Sequence, residues 1–173
     1  GGGDAIQAHM QHILLASAHV VIDADAINSI ASSTSFQSLL KSRSMQSKST
    51  VLTPHPLEAA RLLGIATAEV QNNRLSAATA LAERFGCTIV LKGSGTIVAS
   101  PAQTPVINPT GNAKLATAGT GDVLAGMIGA GLASGLTEFE AARRAVYHHG
   151  SLADCWPEDS PLPAHPLPPR GPR

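Results

Sequence analysis

Three short runs of consecutive apolar, mostly β-branched residues punctuate the chain: His19-Val20-Val21-Ile22, Thr50-Val51-Leu52 and Thr88-Ile89-Val90-Leu91. Apolar side chains at successive positions, with no alternation, predict strands of a parallel sheet covered by helices on both faces. The stretches between them carry helical signals. Pro56 to Leu63 opens with proline at a first helical position and stops at Gly64. Thr67 is expected to cap a second helix, in which Val70, Ala77, Ala78, Leu81 and Phe85 recur at helical spacing until Gly86. Strand and helix in alternation predict an α/β layered domain.

The pattern changes after Lys92. Thr96 to Ala99 and Pro105 to Ile107, separated by a Ser-Pro-Ala-Gln turn, predict an antiparallel meander at one end of the sheet. A glycine-rich loop from Asn108 to Gly121 then opens a helix from Asp122 to about Ser134, apolar around its circumference. Gly126, Gly129 and Gly131 inside it each cost about 1 kcal/mol relative to alanine, which predicts tight burial to offset them. Thr137-x-x-Glu140 has the spacing of a capping box for a last helix through Tyr147 and His148. Ser32 to Ser49 is polar and serine-rich and predicts a helix of marginal stability followed by a loop. From Pro157 onward seven of seventeen residues are proline, so 157–173 is expected to be an extended, disordered tail and 1–156 the folded part.

Composition narrows the class. A length of 173 residues fits one domain, and 43% apolar against 14% charged residues is a globular balance. Twelve basic against twelve acidic residues give no net charge, which excludes a chain-wide basic footprint for nucleic acid. Aromatics are only 3%, too few for stacking platforms, so Leu, Ile, Val and Ala must form the core. The longest apolar run, Val123 to Ala133, is eleven residues and too short to span a bilayer. Cys87 and Cys155 form no C-x-x-C pair and read as reduced small hydrophobes of a cytoplasmic protein.

The chemistry concentrates in three loops. Asn108-Pro-Thr-Gly-Asn112 leads to Ala118-Gly-Thr-Gly-Asp-Val-Leu-Ala-Gly126. Glycines 119 and 121 allow a sharp turn just before a helix, whose unpaired first amides and positive dipole end suit a phosphate or charge developing on one. The amides of Gly119, Thr120 and Gly121 are the expected anion hole. Asp122 at its rim has two readings: a helix cap, or a base taking the proton of a hydroxyl that attacks a phosphoryl group. Neither a Rossmann fingerprint nor a Walker A loop fits, since Leu124 replaces a required glycine and no Gly-Lys-Ser/Thr occurs. Lys92-Gly-Ser-Gly-Thr96 follows a buried strand and reads either as a hairpin turn or as a nucleotide loop. Thr53-Pro-His-Pro-Leu-Glu58 ends another strand, with His55 in a stiff loop and Glu58 in the first helical turn. Open α/β sheets bind ligands at the carboxyl ends of their strands, where these loops fall.

Together with Val21-Ile-Asp-Ala-Asp-Ala-Ile-Asn28 and Leu91-Lys-Gly-Ser-Gly-Thr96, these motifs, in this order from about Val20 to Asp154, resemble the ADP-dependent NAD(P)H-hydrate dehydratases of the ribokinase-like superfamily. The resemblance implies a three-layer α/β/α fold. It implies a repair lyase that phosphorylates the hydroxyl of (6S)-NAD(P)H hydrate at the expense of ADP or ATP, with Mg2+, and then eliminates phosphate to restore NAD(P)H. By position, Asp122 is the implied base and, with His55, contacts the hydrate. Lys92, Gly93, Ser94, Gly95, Thr96 and Gly121 are implied to hold the nucleotide, and Glu58 to reach magnesium through water. Asp23 and Asp25 either line the site or order their loop. A homo-oligomer and an NAD(P)H-hydrate epimerase domain or partner also follow from the resemblance. So does the expectation of on the order of a hundred further residues before Asp4. Without them the domain is partial, and the exposed sheet edge is expected to drive self-association. Leu57 and Ala118 stand where the family usually or frequently has glycine. Two other readings share the anion site: a hydroxymethylpyrimidine or thiazole-type small-molecule kinase, and a non-catalytic nucleotide-binding fragment.

Overall fold

The computed structural model describes residues 4–157, so the expected proline-rich tail falls outside the described residues apart from Pro157. Five strands, β1 (His19–Ile22), β2 (Ser49–Leu52), β3 (Thr88–Leu91), β4 (Ile97–Ala99) and β5 (Val106–Ile107), form one sheet in the order β1-β2-β3-β4-β5. The first three run parallel, with Val20 opposite Thr50 and Leu52 opposite Ile89. The last two fold back antiparallel, with Val90 opposite Val98 and Ile97 opposite Ile107. The meander read from the sequence is therefore present.

Both faces of the sheet are covered, which is why the strands read as continuous apolar runs. On one face Ile22, Leu52, Ile89, Leu91 and Ile97 pack against helices α1 (Asp4–Ala16), α2 (Asp25–Ser32), α3 (Thr34–Met45), α4 (Pro56–Leu63), α5 (Thr67–Asn72) and α6 (Arg74–Phe85). On the other, Val51, Val90 and Val98 pack against α7 (Thr120–Ala133) and α8 (Glu138–Asp154). Ile89, Val90 and Leu91 are all fully buried, although successive side chains face opposite layers. Each such side chain stabilises the fold by about 1.5–3 kcal/mol on removal from water. Three layers, α/β/α, follow directly.

Five local expectations are corrected. Thr67 does not cap one long helix. Ala66 takes the extended cap position, its N–H donates to Glu69 Oε1 at 3.0 Å, and the backbone breaks at Asn73 (φ −143°, ψ 60°), giving two helices. The serine-rich stretch is not marginal. Helix α3 runs to Met45 and buries Phe36, Leu40 and Arg43 at helical spacing. The Arg43 guanidinium, 2% exposed, donates to the carbonyls of Leu14 (2.6 Å), Ser17 (2.8 Å) and Ser49 (3.0 Å) and to Thr50 Oγ1 (2.9 Å). A buried charge so fully hydrogen-bonded ties α1, α3 and β2 together.

Helix α7 begins two residues earlier than expected, at Thr120, and buries one stripe: Thr120, Leu124, Ile128 and Leu132. Tight burial does not explain its glycines generally, because a Cβ on Gly126 or Gly129 would meet nothing within 4 Å. Only at Gly131 would it press on a neighbour, 3.0 Å from Ala141 Cβ. The capping box of α8 is half formed. Thr137 Oγ1 accepts from the Glu140 N–H, but the Glu140 carboxylate turns to Arg143 and Arg144.

Candidate active site

The carboxyl ends of β1, β2 and β3 converge on the start of α7. Lys92 leaves β3 with its N–H donating to Pro54 O at 2.8 Å, which ties the β3 exit to the loop after β2. Its ammonium meets Asp23 Oδ1, just after β1, at 2.6 Å, both side chains being largely buried. Gly121 lies over this pair. A Cβ there would stand 3.4 Å from Asp23 Oδ2 and 3.6 Å from Lys92 Nζ, so glycine lets the backbone of α7 approach a fixed cation–carboxylate pair.

The entrance of α7 is built for exposed amides. Its cap, Gly119, has φ 87°, a left-handed conformation that favours glycine, and has no side chain to cap the helix. The Thr120 hydroxyl turns inward to the carbonyls of Leu115 (2.7 Å) and Thr117 (2.8 Å). The Thr120 N–H is itself engaged, donating to Thr117 O at 3.4 Å, so the amides of Gly119 and Gly121, with the dipole, remain to greet an anion. Asp122 follows in the first turn, exposed and without a hydrogen-bond or ion-pair partner among the described residues. Helix capping therefore does not occupy its carboxylate.

A cavity of about 390 Å³ opens beside this entrance. Lys92, Gly93, Ser94, Gly95 and Thr96 line one side, and Thr120 and Gly121 lie at its helical end. The structure thus brings together all six residues that sequence reading assigned to the nucleotide. It leaves four other assigned residues outside this lining: Gly119, Asp122, His55 and Glu58. His55 caps α4 instead. Its Nδ1 accepts from the N–H groups of Leu57 (3.2 Å) and Glu58 (3.3 Å). Glu58, 3% exposed, returns the contact, with Oε2 accepting the His55 N–H at 2.8 Å and Oε1 lying 3.3 Å from His55 Nε2. Among the described residues no cluster of three or more metal-capable side chains occurs.

The far wall is a strap, Asn108 to Asn112, laced to α8. Asn108 Nδ2 donates to Thr110 O (2.8 Å) and Thr110 Oγ1 to Tyr147 O (3.0 Å). Gly111 N–H donates to Asp154 Oδ2 (2.8 Å), and Asn112 Nδ2 to Ala153 O (2.9 Å). Sequence reading singled out the strap but missed its partners Gly150 and Asp154. A glycine in the middle of a well-formed helix was the available signal, since it marks close backbone approach.

His149 also lines the cavity, half-buried, with a backbone hydrogen bond at Thr120. Burial lowers its pKa below the usual 6.5, and the Thr120 contact opposes this only partly. The folded state therefore holds His149 neutral where the unfolded chain takes up a proton. Its contribution to stability is complete above about pH 6.5 and declines as pH falls toward the depressed folded value. A His149→Gln variant is expected to lose less stability than the parent between about pH 7 and pH 5.5, read from urea midpoints; parallel losses would show that this imidazole is not responsible.

The family model for NAD(P)H-hydrate dehydratase matches residues 1–167 of the chain. The ADP-dependent (S)-NAD(P)H-hydrate dehydratase of Neisseria meningitidis serogroup B is 46% identical over 145 residues, which cover 84% of this chain and 48% of that protein. Among solved structures, the ADP/ATP-dependent NAD(P)H-hydrate dehydratase from Bacillus subtilis, co-crystallised with ATP and Mg2+, matches with a TM-score of 0.74 at 35% identity, over 95% of this chain and 55% of that one. A ribokinase-like superfamily protein from Enterococcus faecalis matches with a TM-score of 0.67 at 29% identity, over 89% of this chain and 51% of that one. The layered sheet is thus ribokinase-like, and the chain spans about half the length of these relatives.

Proposed function

Because the chain belongs to the NAD(P)H-hydrate dehydratase family, we propose that it forms the nucleotide side of an enzyme that dehydrates (6S)-NAD(P)H hydrate to NAD(P)H with ADP or ATP as co-substrate. The observation that carries this reading is the convergence of Lys92, Gly93, Ser94, Gly95, Thr96 and Gly121 on one cavity at the amide end of α7. The small-molecule kinase reading has less support, since the matching family model is that of the dehydratase.

In this reading the nucleotide lies along the glycine loop with its terminal phosphoryl group at the amides of Gly119 and Gly121, the Thr120 N–H being held by Thr117 O. The hydrate hydroxyl attacks phosphorus while the bond to the departing nucleotide breaks, and Asp122 takes the hydroxyl proton. The C–O bond of the new phosphate ester then breaks, the ring nitrogen's electron pair helping inorganic phosphate to leave, and loss of a proton from the adjacent ring carbon restores the double bond of the coenzyme. Lys92, aimed by Asp23, adds positive charge beside the amides that receive the phosphoryl group. His55 and Asp122 border the hydrate from outside the nucleotide cavity.

Magnesium carried on the nucleotide phosphates supplies charge neutralisation there and needs only one or two protein carboxylates. Glu58 does not fit a magnesium-water contact while both of its carboxylate oxygens face His55.

The test is direct. The full-length protein, given purified S hydrate, is expected to regenerate the absorbance of reduced nicotinamide only when ADP or ATP is present. Phosphorylation of a pyrimidine or thiazole alcohol, with the hydrate untouched, would overturn the reading in favour of the kinase.

A further inference from the structure

Arg74 has no part in the chemistry above, yet its position is unusual. It is the first residue of α6, where the helix dipole disfavours a cation, and it stands there because the backbone breaks at Asn73. Its side chain reaches across to the exit of β3. Nη2 donates to Leu91 O at 3.1 Å and Lys92 O at 3.3 Å, while Nη1 donates to Gln71 Oε1 at 3.2 Å. Gly93 lies against the same group. Its φ is +136°, and a Cβ there would stand 3.0 Å from Nη1, 3.1 Å from Nη2 and 3.3 Å from Cζ.

Resting on the reading that the cavity takes an adenine nucleotide, we propose that Arg74 is a positioning residue, holding the two peptide units from which the Lys92–Thr96 loop leaves the sheet. The planar fork is what the place requires. One arm, Nη2, holds both successive carbonyls while the other, Nη1, is anchored by Gln71, and the guanidinium plane leaves a flat surface for the side-chain-free Gly93 to rest on. A lysine supplies charge without the fork. Arg74 thus acts on the nucleotide through the loop, on the side of β3 opposite to the Asp23 contact that aims the Lys92 ammonium.

Titration calorimetry of ADP into the full-length protein tests this, alongside steady-state kinetics for ADP and for the hydrate. Arg74→Met is expected to weaken ADP binding by about ten-fold, two charge-assisted hydrogen bonds being lost. The KM for ADP should rise in proportion while the KM for the hydrate stays within about two-fold, and Arg74→Lys should recover less than half of the lost affinity. Gln71→Ala, which removes one anchor of the guanidinium from an exposed position, is the milder variant. It is read if Arg74→Met does not fold, with a two- to three-fold weakening expected from one surface contact. ADP binding unchanged in a folded variant, or equal damage to both substrates, overturns the Arg74 assignment alone. No ADP binding by the unmutated protein overturns the functional reading and this inference with it.

Discussion

Asp122→Asn is expected to lower turnover of the full-length enzyme by about a hundred- to ten-thousand-fold while leaving ADP affinity within about three-fold. The asparagine side chain keeps the size of the carboxylate and loses its basicity. In the structure Asp122 is exposed at the first turn of α7, with no partner among the described residues whose loss would disturb the fold. It also lies outside the lining of the nucleotide cavity, so removing its charge should spare ADP. Single-turnover kinetics with calorimetry separate the two quantities. Equal losses in turnover and ADP affinity would make Asp122 a structural residue and remove the proposed base.

Gly150→Ala is expected to be the most damaging single methyl group in the described residues. Its Cβ would fall 2.2 Å from Thr110 Oγ1, 2.7 Å from the Thr110 carbonyl carbon and 2.8 Å from the carbonyl oxygen. Alanine gains about 1 kcal/mol over glycine in helix propensity. Overpacking against backbone costs about 1–3 kcal/mol or more, because the strap cannot swing aside as a side-chain tip would. The clash prevails, and the strap must part from α8, breaking the Thr110–Tyr147 and Gly111–Asp154 hydrogen bonds. We expect a lower melting temperature by several degrees for a net loss of about 1–2 kcal/mol, and weaker ADP binding because the cavity wall moves. A variant that melts at or above the parent temperature would show that the strap yields at no cost.

Much of the architecture was legible because the strands obey one rule. A β-branched run such as Thr88–Leu91, apolar at every position, has few solutions other than a strand between two helical layers. The Lys92–Thr96 loop was only half legible, since its glycines and hydroxyls suited a hairpin turn as well as a nucleotide loop until the structure set it in one cavity with Gly121. What was hidden depended on partners remote in sequence. Arg43 looked like one more polar residue in a serine-rich stretch, and only the carbonyls of Leu14, Ser17 and Ser49 give it a buried role. Arg74 seemed ordinary within one long helix until the break at Asn73 turned it toward Lys92. The glycines of α7 misled in the other direction, since composition cannot separate a crowded glycine such as Gly131 from an uncrowded one such as Gly126.

The lacing of the strap to α8 bears on how the protein is made. Gly111 and Asp154 are 43 positions apart, as are Lys114 and Pro157, whose carbonyl accepts from the lysine ammonium at 2.6 Å. Strands β1 to β5 all emerge from the ribosome before any of α8 exists. The sheet can therefore be laid down while the cavity beside α7 still gapes, and the cavity takes shape only as the last turn of α8 is synthesised and docks. Until that final knot is tied, the glycine loop faces no wall at all.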